Sequence, residues 1–233
     1  MVAITKRPQA VLVDLDGTMI DSAPDIAAAV NRMQAQLDGP PLPLDTVRGF
    51  IGWGVAHLVR QVLGHAPGMR PTDEATALAL FERHYLDCNG RHSTIYPGVL
   101  RGLTMLRGLG YALACVTNKP RPYAEPLLDA LGLSPCFDTV ACGEPALPLK
   151  PHPALLVAAC RRLGAQPVQC VMVGDSGVDA TAAGRAGMPV YLVRYGYHNG
   201  AAPDAAPCNG YIDALDELPA LLGHAPAALS ASG

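Results

Sequence analysis

The sequence predicts an α/β fold, a doubly wound parallel sheet covered by helices, with a small α-helical domain inserted after the first strand. Three observations carry this expectation. An apolar run, Ala10 to Val13, stops abruptly at Asp14-Leu15-Asp16-Gly17-Thr18. Such an uninterrupted β-branched run reads as a strand buried on both faces, as in a parallel sheet. From Tyr96-Pro97-Gly98 onward, short apolar runs alternate with helical patterns, the arrangement of parallel strands joined by crossover helices. Between these parts, residues 21–91 carry helical periodicity and no convincing strand. The expected division is therefore residues 1–20 and 92–233 for the α/β core and 21–91 for the helical domain.

Taken in order, Ser22, Pro24 and Asp25 open a helix on which Ile26, Val30, Met33 and Leu37 recur at helical spacing, and Gly39-Pro40-Pro41 ends it. Short amphipathic helices are expected over 44–51 and 55–63, and a longer one over 72–89. Gly52-Trp53-Gly54 separates the first two, so Trp53 reads as a turn residue, a packing anchor in preference to a substrate-facing one. The core then continues with a helix over 99–109, a strand over 112–116 ending in Thr117-Asn118-Lys119, and a helix over 123–131. A short strand follows near 139–141, and Lys150 precedes a helix over 154–163. A strand over 171–173 ends in Gly174-Asp175-Ser176-Gly177, and after it come a helix over 178–186, a strand over 189–193 and a last helix over 214–222. The tail from Ala225 is expected to be loose.

Composition narrows the function. A chain of 233 residues suffices for one large domain or a core with an insert. Charged residues are only 16%, against about 25% in typical domains, which suits a compact protein. Net charge is −3, without a basic run, so neither nucleic acid nor an anionic membrane is an expected partner. Seven cysteines, an odd number without Cys-x-x-Cys or zinc-type Cys/His spacing, read as reduced core residues. The first residues lack an apolar signal core, and no apolar segment approaches the ~18 residues of a membrane span. The expected location is the cytoplasm.

The chemistry gathers at strand ends. Side chains alternate along an extended chain, so Asp14 and Asp16 project to one side at the C-terminal mouth of the strand, where open α/β sheets bind ligands. Two carboxylates ~4 Å apart repel by about 4 kcal/mol at an effective dielectric of 20, so a close pair shares a proton or binds a cation. The plain alternative is a turn with solvated acids. Right-handed crossovers would bring the other strand ends to the same edge. Asp175 adds a third carboxylate, and acids without nearby His or Cys suit Mg²⁺ better than zinc. Thr117 and Asn118 offer a hydroxyl and an amide ahead of a helix, suitable for a phosphate, and Lys150 offers positive charge. Asp179, one helical turn after Asp175, is placed to hold Lys150 or a metal-bound water. Each residue alone has an ordinary reading as turn former, surface charge or helix-start acid. Their succession at strand ends of a charge-poor chain points to one site. His152 reads as a helix-start residue, Cys142 and Cys170 as core.

In order, DLDGTMIDS, TNK, LKPHP and GDSGVD resemble the four motifs of the haloacid dehalogenase superfamily. The SAPDI opening, the RGFIGWG stretch, GDSGVDATAAGRAGMPV and YGY resemble its phosphoglycolate phosphatases most. The resemblance implies a Rossmann-like core with a helical cap, and a Mg²⁺-dependent phosphatase acting on a small phosphorylated substrate, foremost 2-phosphoglycolate. It implies Asp14 as nucleophile and Asp16 as general acid and base. It further implies Mg²⁺ on the Asp14 carboxylate, the Asp16 carbonyl and Asp175, with Thr117, Asn118 and Lys150 on the phosphoryl oxygens and Asp179 supporting them. Arg48, beside the cap loop, is the candidate for the substrate's carboxylate. Met19, where Leu is usual, and Trp53, where a small polar residue is usual, depart from the family pattern. A sugar phosphomutase or a broader sugar-phosphate phosphatase is the enzymatic alternative, and a receiver-like phospho-acceptor module the non-enzymatic one. Nothing in the sequence sets the oligomeric state.

Overall fold

The computed structural model describes residues 7–65, 72–198 and 206–224. Its main sheet has six parallel strands: β1 (Ala10–Val13), β4 (Ala112–Pro120), β5 (Thr139–Gly143), β6 (Cys170–Gly174), β7 (Val190–Val193) and β8 (Gly210–Ile212), in the order β5-β4-β1-β6-β7-β8. Chain order reverses at β1, which pairs with β4 on one side and β6 on the other; Val13 stands opposite Cys115 and Val173. The C-terminal ends of these three strands are therefore adjacent, where open sheets of this kind place their ligands.

Alternation along β1 explains the two-sided burial. Val11 and Val13 face a core closed by α5 (Val99–Gly108), α6 (Arg121–Ala130) and α9 (Leu218–Leu221). Ala10 and Leu12 face a second core closed by α7 (Ala154–Arg162) and α8 (Gly177–Ala186). Val11, Leu12 and Val13 are fully buried, each burial contributing roughly 1.5–3 kcal/mol.

The inserted helices are α1 (Ala23–Gln36), α2 (Leu44–Arg48), α3 (Val55–His65) and α4 (Glu74–Cys88), which share an apolar core of their own built on Val30, Met33, Val59, Phe81 and their neighbours. The chain leaves the main sheet through β2 (Ile20–Asp21) and returns through β3 (Thr94–Ile95); the two pair antiparallel, Ile20 opposite Ile95. Buried Asp25 fastens this exit. Its carboxylate accepts from the backbone N–H groups of Gly90 (3.0 Å), His92 (2.8 Å) and Ser93 (3.0 Å) and from the Ser93 hydroxyl (2.6 Å). An acid that reads in sequence as a helix-start residue thus ties the first turn of α1 to the segment after α4.

Several boundaries differ from expectation. The β2–β3 ribbon and β8 are too short to show a pattern. β4 runs through Thr117-Asn118-Lys119 to Pro120, with a register shift against β5. α2 stops at Arg48 where a helix to 51 is expected, and the helix expected over 214–222 is a 3₁₀ turn, Leu215–Glu217, leading into α9. The expectation for the tail falls outside the described residues. All seven cysteines are free thiols, five of them buried. Among the described residues no helix is long and apolar enough to cross a membrane.

Candidate active site

Asp14 follows β1 into the shared edge, nearly buried, with its backbone N–H held by the Val173 carbonyl at 2.9 Å. Lys150, from the loop before α7, reaches it with Nζ 2.7 Å from Asp14 Oδ1, 2.7 Å from Asp179 Oδ1 and 2.9 Å from the Val116 carbonyl. Three partners use all three ammonium hydrogens. Asp179 occupies the third position of α8 in a capping box with Ser176: its Oδ2 accepts from the Ser176 hydroxyl (3.1 Å) and from the backbone N–H groups of Asp175 and Ser176 (3.3 Å each). Of the two roles the sequence leaves open for Asp179, holding Lys150 is the one observed.

Asp175 completes the cluster. Tyr197 N–H donates to its Oδ2 at 2.7 Å. Gly17, at φ +84°, and Gly196 crowd it so closely that a Cβ on either would fall 2.3 Å from Asp175 Oδ2 or 2.2 Å from Asp175 Cβ. Only glycine fits either position. Asp14, Asp175 and Asp179 each bring a carboxylate oxygen to within 4.8 Å of the others. Burial pushes Asp14 up to about 7; Lys150 works against this and Asp179 adds to it. Burial, then Asp179 and Asp14, also push Asp175 well above the carboxylate range. For Lys150, burial opposes the charge, but Asp14 and Asp179 outweigh it and raise its pKa. Three buried carboxylates thus stand with one ammonium, which bonds two of them. Such an oxygen-only, charge-deficient set fits a hard divalent cation.

Asp16 lies in different surroundings, which corrects one expectation. Its carboxylate does not pair with that of Asp14; it turns to Lys119, whose Nζ stands 2.8 Å from Oδ1, and to the Ser22 hydroxyl, which donates to the same oxygen. Each of the two acids has its own lysine, which offsets like-charge repulsion between them. Burial opposes the charge on Lys119, and Asp16 and Tyr85 more than restore it. Ser22 and Ala23 in turn donate backbone N–H groups to the Tyr197 hydroxyl (2.8 and 3.0 Å), which donates to Asp21 at 2.9 Å.

Of the remaining expected residues, Thr117 lines the cavity over Asp14 and Asp16, and its hydroxyl accepts from Lys119 N–H at 3.1 Å. The Asn118 side chain is engaged elsewhere: its carbonyl accepts from Lys150 N–H at 2.7 Å, and its NH₂ donates at 2.8 Å to the carbonyls of Lys150 and Gly52. It positions Lys150 and meets the helical insert, so its carboxamide is not open for a phosphate. Arg48 does not line the cavity. Its guanidinium lies 2.7 Å from Asp45 and 3.6 Å from Asp21, over the Tyr197 ring. Trp53 is neither anchor nor cavity wall: it is 42% exposed, beside His57, while its flanking glycines line the cavity. His152 accepts from Ala154 N–H at 3.2 Å at the start of α7, as expected.

The cavity between insert and sheet measures about 50 Å³. Asp14, Asp16, Thr117 and Lys119 face it from the sheet, and Ile51, Leu58, Phe81 and Tyr85 from the insert. Two of these escape the sequence reading. Lys119 appears there without a role, though its spacing of two from Thr117 places it on the same side of an extended chain. Tyr85 gives no signal beyond helical spacing from Phe81. Its buried hydroxyl makes no hydrogen bond of ordinary geometry and has the Lys119 ammonium beside it.

A buried acid and a lysine at a carboxylate cluster, covered by inserted helices, suit phosphoryl-transfer chemistry. The haloacid dehalogenase-like hydrolase family model matches residues 8–187, and the chain belongs to that family. It is 50% identical over 222 residues, 95% of this chain and 96% of the relative, to the plasmid-encoded phosphoglycolate phosphatase of Cupriavidus necator. It is 41% identical to the phosphoglycolate phosphatase of Nitrosospira multiformis over 92% of this chain and 95% of that one. A crystal structure described as a predicted phosphoglycolate phosphatase of Haemophilus somnus superposes with a TM-score of 0.88 at 29% identity, covering 93% of this chain and 99% of that one. The chain is thus a phosphoric monoester hydrolase with a small phosphorylated substrate.

Proposed function

We propose that this phosphatase hydrolyses 2-phosphoglycolate to glycolate and phosphate, with Mg²⁺, through an aspartyl phosphate on Asp14. The observation that carries the reading is Asp14 itself, a buried carboxylate between Lys150 and two further acids at the mouth of the central strand. Phosphate monoesters require accelerations of up to ~10²¹, about 28 kcal/mol at 1.36 kcal/mol per decade, more than one interaction supplies. Nucleophilic, acid–base and electrostatic contributions have to combine.

In this reading an Asp14 oxygen attacks phosphorus as the bond to the ester oxygen breaks, and Asp16 gives that oxygen a proton. Water then attacks the aspartyl phosphate, Asp16 takes its proton, and the bond between phosphorus and Asp14 breaks to release phosphate. Lys150, locked by Asp179 and by the Asn118 carboxamide, holds positive charge beside the reacting group. The Thr117 hydroxyl, with its oxygen already accepting from Lys119 N–H, has its hydrogen to offer a phosphoryl oxygen. Asp14, Asp175 and the Asp16 carbonyl would hold Mg²⁺, which supplies charge neutralisation to the transferring phosphoryl group. Residues 21–91 would act as a cap excluding stray water. The named relatives support this substrate. A cytoplasmic location belongs to this reading, supported by the free thiols.

Acid-quenching the protein during turnover of ³²P-labelled 2-phosphoglycolate tests the intermediate. Label should appear on wild-type protein and be absent from Asp14→Asn; phosphate release without labelled protein would contradict it.

A further inference from the structure

With Arg48 held by Asp45 and Asp21, the non-phosphate end of the substrate needs another partner. Two donors stand inside the cavity. Tyr85 on α4 is 1% exposed, and its hydroxyl makes no hydrogen bond of ordinary geometry; the Lys119 ammonium is its polar neighbour. Its ring cannot swing away: it stacks on Phe81 at 5.4 Å and tilts against Tyr123 at 5.1 Å. Lys119 Nζ lies 4.9 Å from the centre of the same ring and gives a hydrogen to Asp16, whereas an ammonium carries three. The nearby wall carries the Asp16 carboxylate, which takes one of the Lys119 hydrogens, and is otherwise apolar, with Ile51, Val55 and Leu58.

A hydroxyl and an ammonium side by side suit a group that only accepts and carries negative charge. A buried polar group left unpaired in a native structure calls for a reason, and a ligand acceptor supplies one. The same cavity is lined by Asp14, so a carboxylate held by Tyr85 and Lys119 would sit close to the phosphate. We infer that Tyr85 and Lys119 form the subsite for the substrate's carboxylate, with Tyr85 Oη donating to it and Lys119 pairing with its charge. Tyr85 is then a specificity-determining residue contributed by the helical insert. The inference rests on the phosphatase reading above and deepens it.

Binding tests it without turnover. In the Asp14→Asn background with Mg²⁺, calorimetry compares 2-phosphoglycolate with ethyl phosphate, in which a methyl group replaces the carboxylate. The expected preference for 2-phosphoglycolate is at least tenfold in Kd, and adding Tyr85→Phe should reduce that ratio about tenfold, the effect of one hydrogen bond to a charged group. Phe keeps the ring and its stacking, and a melting curve checks that the variant is folded. An unchanged ratio in Tyr85→Phe, no preference in the parent, or collapse of the ratio in Arg48→Gln instead would overturn the subsite. The proposed reaction fails separately, if wild-type protein with Mg²⁺ releases no phosphate from 2-phosphoglycolate.

Discussion

Asp14 and Asp16 are two residues apart, yet one is bound to Lys150 within a cluster of acids and the other to Lys119 and Ser22. Their substitutions should therefore differ in kind. Asp14→Asn removes the proposed nucleophile and should lower kcat below ~10⁻³ of wild type, with no phosphoenzyme. Asp16→Asn should slow both half-reactions by the 10²–10⁴-fold typical of general acid–base catalysis, while Mg²⁺ still raises the melting temperature, because only the Asp16 main chain would touch the ion. Near-normal turnover in Asp16→Asn would contradict the assignment. Much of this site is legible in sequence: acids, hydroxyl and lysine stand at strand ends, and the sheet brings those ends together. What does not follow from residue type is orientation. Asn118 reads as a phosphate ligand, yet its carboxamide meets Lys150 and Gly52; Arg48 reads as a carboxylate partner, yet Asp45 and Asp21 hold it. Both outcomes depend on tertiary neighbours that spacing along the chain does not encode.

Among the elements, long regular ones announce themselves and short ones do not. β1 is legible because four apolar residues stop at an acid, and α1 because its apolar positions recur every three or four residues. The two-residue strands β2 and β3 have no period to read. Beside their pairing, a single carboxylate, Asp25 on α1, takes four donors from residues 90–93. Asp25→Ala would leave three buried or half-buried N–H groups and a hydroxyl unpaired, a loss of ~3 kcal/mol or more. Chemical denaturation should show that loss, with the earliest exposure of amides in residues 90–93 by hydrogen exchange. A change under 1 kcal/mol would mean that the insert is fastened elsewhere.

For the whole molecule, charge balance at the sheet edge links stability to pH and metal. Asp14 rises from its ordinary value of 3.8 to about 7 in the folded protein, so the fold binds this proton more tightly than the unfolded chain does. Stability from this group is full below about pH 4 and is lost as pH rises through about 7. Metal-free protein should accordingly melt at lower temperature at pH 8 than at pH 5 as far as this site is concerned. Mg²⁺, competing with protons for the same carboxylates, should raise the melting temperature more at pH 8 than at pH 5. Asp175→Asn should remove most of that gain, and an equal gain at both pH values would contradict a carboxylate-bound cation. The helical insert covers this edge, so residues of the sheet and of the insert line one cavity.

The central claim, hydrolysis of 2-phosphoglycolate through Asp14, is tested most directly by initial rates with Mg²⁺ on 2-phosphoglycolate, hexose phosphates and nucleotides, for wild type and Asp14→Asn in parallel. The account predicts the highest kcat/KM for 2-phosphoglycolate and none above background for the variant. A flat or sugar-favouring profile, or turnover surviving in Asp14→Asn, would contradict it.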